Sequence, residues 1–445
     1  MTTTDPVQTE WFLRDNFAPV DTETTATDLE VDGAIPPALD GLFVRNGPNP
    51  PDGTSPHWFF GDGMLHGVRL RNGRAEWYRN RYVRTPKHES PGKPFVDEFG
   101  QIDRHYSAAN THIVCHAGRL LALEEAHYPF EVDEQLDTVG AHDFGGRLTT
   151  AMTAHPKICP ETGELLFFGY NAMPPFLTYH RVSADGELVQ STEVPVPGPT
   201  MHHDFNITRN HVIFMDLPMV FDLELAMQGT LPYAWDDEYG ARLVVMPRNG
   251  SADDVRTFDI EPCYVFHPVN AWEEGNEIVI DTVRRERMGE VGGGEYPSLH
   301  RWRLDLTAGT TTEEALDDRL IEFGRIHDSR VGLPHRYATA AVLKRGVIAT
   351  FDQVVLYDMQ TGTDQTHSFG PGTTVSEAVF APDPDGNGEG DGWILTFVHD
   401  AAADTTSLGV LDASDVGGDP VAMIRLPVRV PHGFHGNWVP ADQLG

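Results

Sequence analysis

Lysine is nearly missing. Lys87, Lys93, Lys157 and Lys344 are the only four in 445 residues, so arginine supplies almost all the positive charge. With 67 acidic against 32 basic residues the formal charge is −35, and a surface of that sign repels phosphate and anionic lipid. Nucleic acid is therefore excluded as a partner, because binding it depends on clustered Lys and Arg neutralising phosphates. The lysine-poor acidic surface fits either a high-salt habitat or a GC-rich genome that favours arginine. Cysteine is almost as scarce. Cys115, Cys159 and Cys263 form no C-x-x-C pair and no zinc-finger or disulfide spacing, which points to a reducing cytoplasm. Long apolar runs are also lacking. No stretch approaches the roughly 18 consecutive apolar residues of a membrane-spanning helix, so membrane association is expected to be weak at most. The opening MTTTDPVQTEWF has neither the basic start nor the apolar core of a signal peptide.

Turn formers, by contrast, are abundant: 43 Gly and 33 Pro punctuate the chain every few residues. Between them lie short apolar runs, GRLLALEE, GELLFFGY, HVIFMDL, ARLVVMPR, NEIVIDTVR, RGVIATF and GWILTFVH. Their β-branched and aromatic content, with Gly, Asn or Asp at the borders, predicts strands rather than helices. One short helix is expected at Asp222 to Gly229 (DLELAMQG). Loops are expected at Gly289 to Pro297 and at Pro382 to Gly392. The second loop resembles a calcium loop only superficially, because it lacks the bidentate Glu at the required distance. Many dispersed strands without βαβ alternation predict an all-β fold, a β-propeller or a large sandwich. No linker divides the chain, so residues 1–445 are expected to form one domain, with 1–35 as an extension packed against it.

Among the 21 histidines four stand out: His155 in AHPK, His203 in MHHDFNIT, His267 in FHPVNAWEEG and His435 in PHGFHGNWVP. Each sits beside aromatic, Pro or Gly residues instead of solvating charges. Singly, each reads more readily as a satisfied buried imidazole than as a ligand, and only the set shifts that balance. Their spacing is far too long for a zinc finger or an H-E-x-x-H helix. Such ligands must converge from different strands, as imidazoles directed at the axis of a radial fold would. A neutral four-nitrogen site suits a first-row metal such as Fe, Zn or Cu. Metal-bound imidazoles usually donate their other N–H to a carboxylate or carbonyl. Glu125 after LLALE, Glu322 in LIEFG and Glu377 in VSEAVFAP are candidates, although each could equally be an outward-facing strand residue.

The ordered blocks GLFVRNGPNP, HWFFGDGMLHG, TAHPKICPETGELLFFGY, MHHDFNIT, FHPVNAWEEG and GFHGNWVP resemble the carotenoid cleavage oxygenase family, from Gly41 to Pro440. The resemblance implies a seven-bladed β-propeller capped by loops and short helices, with a non-haem Fe(II) on its axis. It implies His155, His203, His267 and His435 as iron ligands, with His202 and His432 as bystanders. It places Glu125, Glu322 and Glu377 against three of the ligand histidines, leaving His155 without a glutamate. Thr111 matches a position that crowds the open face of the iron, though a strand Thr in a cross-strand pair is an equal reading.

What the family resemblance further implies is a dioxygenase that uses O2 to split an alkene C=C bond into two carbonyl products. The substrate expected is an apocarotenoid-like conjugated alkene held in an apolar tunnel. A phenylpropene or stilbene is the alternative. Stilbene-cleaving relatives carry a phenolate-binding lysine where this chain has Glu124, while Tyr82 could match their pocket tyrosine. Phe60 replaces the commoner Asp. MPPFLTYH at Met173 to His180 is a short candidate for membrane contact or, more simply, a packed loop. A metal-dependent isomerase or hydrolase on the same fold, and a non-catalytic binding propeller, are the readings from other classes.

Overall fold

Apolar runs bounded by turn formers become strands that hairpin back on one another, because each run can bury its faces only against a neighbour. A computed structural model describes residues 10–93, 102–289, 297–344 and 349–444. Four sheets are four-stranded antiparallel meanders: the second blade starts at His112–His116, the third at Lys157–Ile158, the fourth at Phe205–Ile207 and the fifth at Tyr264–Glu274. A ten-stranded sheet supplies two more, starting at Ile321–Ile326 and Val379–Pro382, joined by the short strand Thr373–Val375, which pairs with both. The first blade contains Gly41–Pro48, Gly63–Arg71 and Arg74–Tyr82, which makes seven.

The ring closes at both chain ends. Gly436–Pro440 pairs with Gly41–Pro48 of the first blade, and Val31–Gly33 pairs with Ala422–Arg425 of the seventh. The innermost strands of successive blades then neighbour one another around the axis: 112–116 beside 436–440, 264–274 beside 205–207 and 321–326, and 379–382 beside 321–326 and 436–440. Core side chains fill the spaces between blades. Ile213, Leu243 and Phe258 of the fourth blade, for example, pack on Ile278 and the fully buried Trp302 of the fifth. Sheets covered on both faces explain why the strand runs are continuously apolar instead of alternating.

The expected helix forms as Leu223–Met227, with the Asp222 carboxylate accepting from the Glu224 and Leu225 N–H groups. It sits in an inserted hairpin, Met219–Phe221 with Tyr233–Trp235. Pro382 to Gly392 is a loop between paired strands, as expected. In it Asp391 accepts from the Asn387 and Gly388 N–H groups, and Glu389 from those of Arg336 and Tyr337. Of the expected strand RGVIATF, residues 345–348 lie outside the described residues, and its last residue opens the strand Phe351–Asp358. Most of Gly289 to Pro297 also lies outside the described residues. At the N-terminal end Phe12 and Phe17 pack on Trp58 and Phe434, directly beside His435.

Candidate metal centre and substrate cavity

The four histidines come together. One nitrogen from each of His155, His203, His267 and His435 lies within 4.8 Å of the others, and all four side chains are nearly buried. Local irregularity aims them. His155, His203 and His435 stand in the turns that lead into the inner strands of the third, fourth and first blades. His267 lies inside its strand, where the pairing with Glu277–Arg285 slips register between Val265 and Pro268. Pro268 has no N–H to give to a ladder, and the resulting bulge turns the imidazole to the axis. A matching slip between Glu322 and Arg325 in the next blade, with Phe323 at φ 57°, re-aims Glu322.

Glu322 Oε2 lies 2.6 Å from His267 Nδ1, and Glu377 Oε1 lies 2.9 Å from His435 Nδ1. Glu125 contacts His203 Nδ1 and accepts from the Tyr170 hydroxyl at 2.6 Å. A carboxylate only accepts, so each of these Nδ1 atoms carries its proton, and Nε2 of the neutral ring is a bare lone pair. Nε2 of His203 and Nε2 of His267 nevertheless face each other at 3.2 Å. Two lone pairs at that distance repel unless a cation lies between them. His155 Nε2 is buried without a hydrogen-bond partner. The donor set therefore fits a metal ion.

Electrostatics hold that protonation pattern. Burial alone would raise the Glu322 carboxyl, but His267 and Arg285 outweigh it and hold it at about 2. Burial opposes Glu377 likewise, and His435 with Arg325 keeps it well below the usual carboxylate range. His155 stays neutral through burial first and its imidazole neighbours second, and burial brings His435 to about 4 despite Glu377. At His203 burial disfavours the charge, yet Glu125 prevails and the value rises. A proton on His203, favoured by Glu125, would compete with a metal ion for this site, so metal loading should weaken in acid.

His180, buried between Thr150 and Ser191, is also held at about 4 by burial. Unfolding lets such a ring regain its ordinary value near 6.5 and take up a proton. Stability should then fall as pH drops from about 6.5 towards 4, by about 1.4 kcal/mol per pH unit for each such imidazole. Denaturant midpoints of the metal-free protein at pH 7.5 and 5 check this, and equal midpoints would refute it.

The Asp204 carboxylate was not singled out by the sequence as a partner. It lies 3.6 Å from His155 Nδ1, the ring with no glutamate, and pairs with Lys157 at 2.7 Å. Its position directly after His203 was the available signal. The outcome for the remaining candidates is mixed. Thr111 lines the large cavity above the centre, its hydroxyl donating to Asn110 Oδ1. Asn110 in turn donates to the Phe59 and Gly61 carbonyls and so holds the turn that carries Phe60, which also lines the cavity. Glu124 reaches the same wall but is engaged by His127 and by the Ala126 N–H. Tyr82 does not line the cavity. Its hydroxyl accepts from Asn49 and its ring stacks on His88, so the loose match to a pocket tyrosine fails. The cavity itself measures about 1560 Å3, and Phe59, Phe266, Phe323 and Phe434 are among its walls.

A seven-bladed ring with four histidines converging on its axis defines a β-propeller with a candidate metal centre. The family model described as retinal pigment epithelial membrane protein matches residues 17–440, so the chain belongs to this family, which includes the carotenoid cleavage oxygenases. It is 40% identical to a carotenoid cleavage oxygenase of Mycobacterium tuberculosis, over 96% of this chain and 97% of that protein. The lignostilbene dioxygenase of Pseudomonas brassicacearum superposes with TM-score 0.90 at 28% identity, covering 98% of this chain and 100% of that one. A variant of the Synechocystis apocarotenoid oxygenase superposes with TM-score 0.86 at 25% identity, covering 95% and 97%. The chain is accordingly an oxygenase of the alkene-cleaving class.

Proposed function

We propose that the chain holds one Fe(II) through Nε2 of His155, His203, His267 and His435 and, with O2, cleaves a double bond of an apocarotenoid-like conjugated alkene into two carbonyl products. Cavity size carries the choice of substrate. About 1560 Å3 exceeds the roughly 300–1,000 Å3 of ordinary small-molecule clefts and suits a long polyene better than a phenylpropene. The iron, when bound, supplies the oxygen activation that no side chain can. Around it, Glu125, Glu322 and Glu377 hold three imidazoles in one tautomer and orientation. Phe266, Phe323 and Phe434 exclude water and give the alkene flat surfaces to lie on, while Thr111 narrows the approach from the wall.

Among the described residues no helix is long and apolar enough to cross a membrane. Exposed Met173 at the cavity rim, with Leu223 and Met227 of the inserted helix, would allow weak contact with a lipid source of substrate. The three cysteines are free thiols, which suits a cytoplasmic site of action.

A second reading, cleavage of a phenylpropene or stilbene, draws on the close superposition with the lignostilbene dioxygenase. Against it, the half-buried Glu124 carboxylate is held in its ionised form, with burial working the other way but outweighed by His127 and the Ala126 N–H, and it would repel a phenolate. Incubating iron-loaded protein with apocarotenals, isoeugenol and hydroxystilbenes under 18O2 tests both. Labelled carbonyl products from the apocarotenals are expected, whereas unlabelled turnover that persists without oxygen would mean an isomerase or hydrolase. Tyr170→Phe, which frees Glu125 from its hydroxyl partner, should weaken iron retention about tenfold. Competition with a chelator measures that, and unchanged retention would show that the Tyr170 hydroxyl takes no part in the support Glu125 gives His203.

A further inference from the structure

The four imidazoles stand between two cavities. His203 lines only the large one, His155 only a smaller one of about 690 Å3, and His267 and His435 line both. The smaller cavity runs inward from the exposed residues Ala117, Gly118, Asp442 and Gln443 to His155. Its wall carries four carboxylates, Asp204, Asp328, Glu377 and Asp442, against two cations, Lys157 and Arg325. Lys157 is paired with Asp204 at 2.7 Å, and Arg325 lies 3.5 Å from Glu377.

His112 also lines this cavity, and the mechanism gives it no part. It opens the inner strand of the second blade and is only 8% exposed. Its Nδ1 lies 2.8 Å from the Ala154 carbonyl, which can only accept, so Nδ1 holds the proton and Nε2 is a lone pair. That Nε2 is buried and has no hydrogen-bond partner. Its ring lies 5.1 Å from that of His435 and 5.9 Å from that of His155. A buried polar atom without a partner is costly, and a bare imidazole nitrogen on a residue that lines a carboxylate-bearing passage is a ligand in search of a cation.

We propose that the smaller cavity is the passage by which a divalent metal ion enters and leaves the centre, with His112 Nε2 taking the ion immediately before His155 and His435 do. This rests on the four-histidine reading above. The large cavity is lined by carboxylates as well, Asp52, Asp62, Glu124, Glu125 and Glu322, so what sets the smaller one apart is the partnerless His112 Nε2, which with the carboxylates of that wall can replace the hydration of a divalent ion ligand by ligand. Entry by the smaller cavity also leaves the large one to the apolar substrate.

The test follows Co2+ uptake by metal-free protein through its visible absorption, with cobalt removal by a chelator as the reverse measurement. His112→Ala is expected to slow both at least tenfold while the final content stays at one cobalt per chain. Asp442→Lys, at the exposed mouth and remote from folding constraints, should slow uptake severalfold in an effect that fades as salt is raised. Wild-type rates in His112→Ala would overturn the passage. So would a lower final content, which would make His112 a holding ligand. If the wild-type chain takes up no cobalt at all, the four-histidine centre itself is refuted, and the passage with it.

Discussion

Replacing His267 by alanine is expected to yield a folded chain that retains less than about a tenth of the wild-type iron, with alkene cleavage lost in proportion. The metal loses one of four ligands and, with it, the nitrogen that faces His203 at 3.2 Å. Supporting residues alone are worth about 10–100-fold in affinity, and a ligand is worth more. Folding survives because Glu322 is not orphaned. Its carboxylate still accepts from Arg285 Nη2 at 3.0 Å and from the Phe323 N–H at 3.0 Å. The stability cost should stay near that of one lost hydrogen bond and a small cavity, about 1–3 kcal/mol. Elemental analysis after anaerobic loading, with a thermal melt of the same sample, checks both halves. Wild-type iron content in this variant would end the four-histidine reading.

Much of this centre could be read from the chain because ligand chemistry leaves local marks: histidines set among Pro, Gly and aromatic residues, and glutamates set beside or within apolar runs. What stayed hidden was the repeat. The steps 322 − 267 = 55, 377 − 322 = 55 and 435 − 377 = 58 are each one blade, with Glu322 and Glu377 marking the two blades between His267 and His435. Strand length, insertions and the hairpin at Met219–Trp235 vary from blade to blade, so the period lives in the axial residues and not in the hydrophobic pattern. The bulges at Val265–Pro268 and Glu322–Arg325 were illegible for a related reason, since both arise from pairing with a neighbouring strand. Asp204 and His112 were missed because their significance depends on what faces them across the axis. Tyr82 was misjudged because strand alternation around residue 82 could not be tied to the cavity without knowing that Asn49 and His88 cover it.

Glu377→Ala should behave very differently from the His267 variant, although both remove half of a carboxylate–imidazole pair. Glu377 is 2% exposed and satisfies three groups at once: His435 Nδ1–H at 2.9 Å, the Gly436 N–H at 2.8 Å and the Arg325 guanidinium at 3.5 Å. Removing it leaves a largely buried cation and two buried donors with too few acceptors. Among the described residues Arg325 keeps the Gly436 carbonyl at 3.1 Å and the exposed Asp328 at 3.8 Å. Breaking a buried pair from one side costs about 3–5 kcal/mol, because the surviving charge is uncompensated. The strand 436–440 closes the ring against the first blade, so that loss falls on the seam of the propeller. Denaturant unfolding of metal-free protein isolates this effect from ligand-linked stability. A drop of about 3 kcal/mol or more is expected for Glu377→Ala, with Glu377→Gln recovering part of it through an amide oxygen that still accepts from Gly436. A Glu377→Ala protein within 1 kcal/mol of wild type would show that Arg325 finds water or another acceptor, and that the carboxylate serves the metal centre alone.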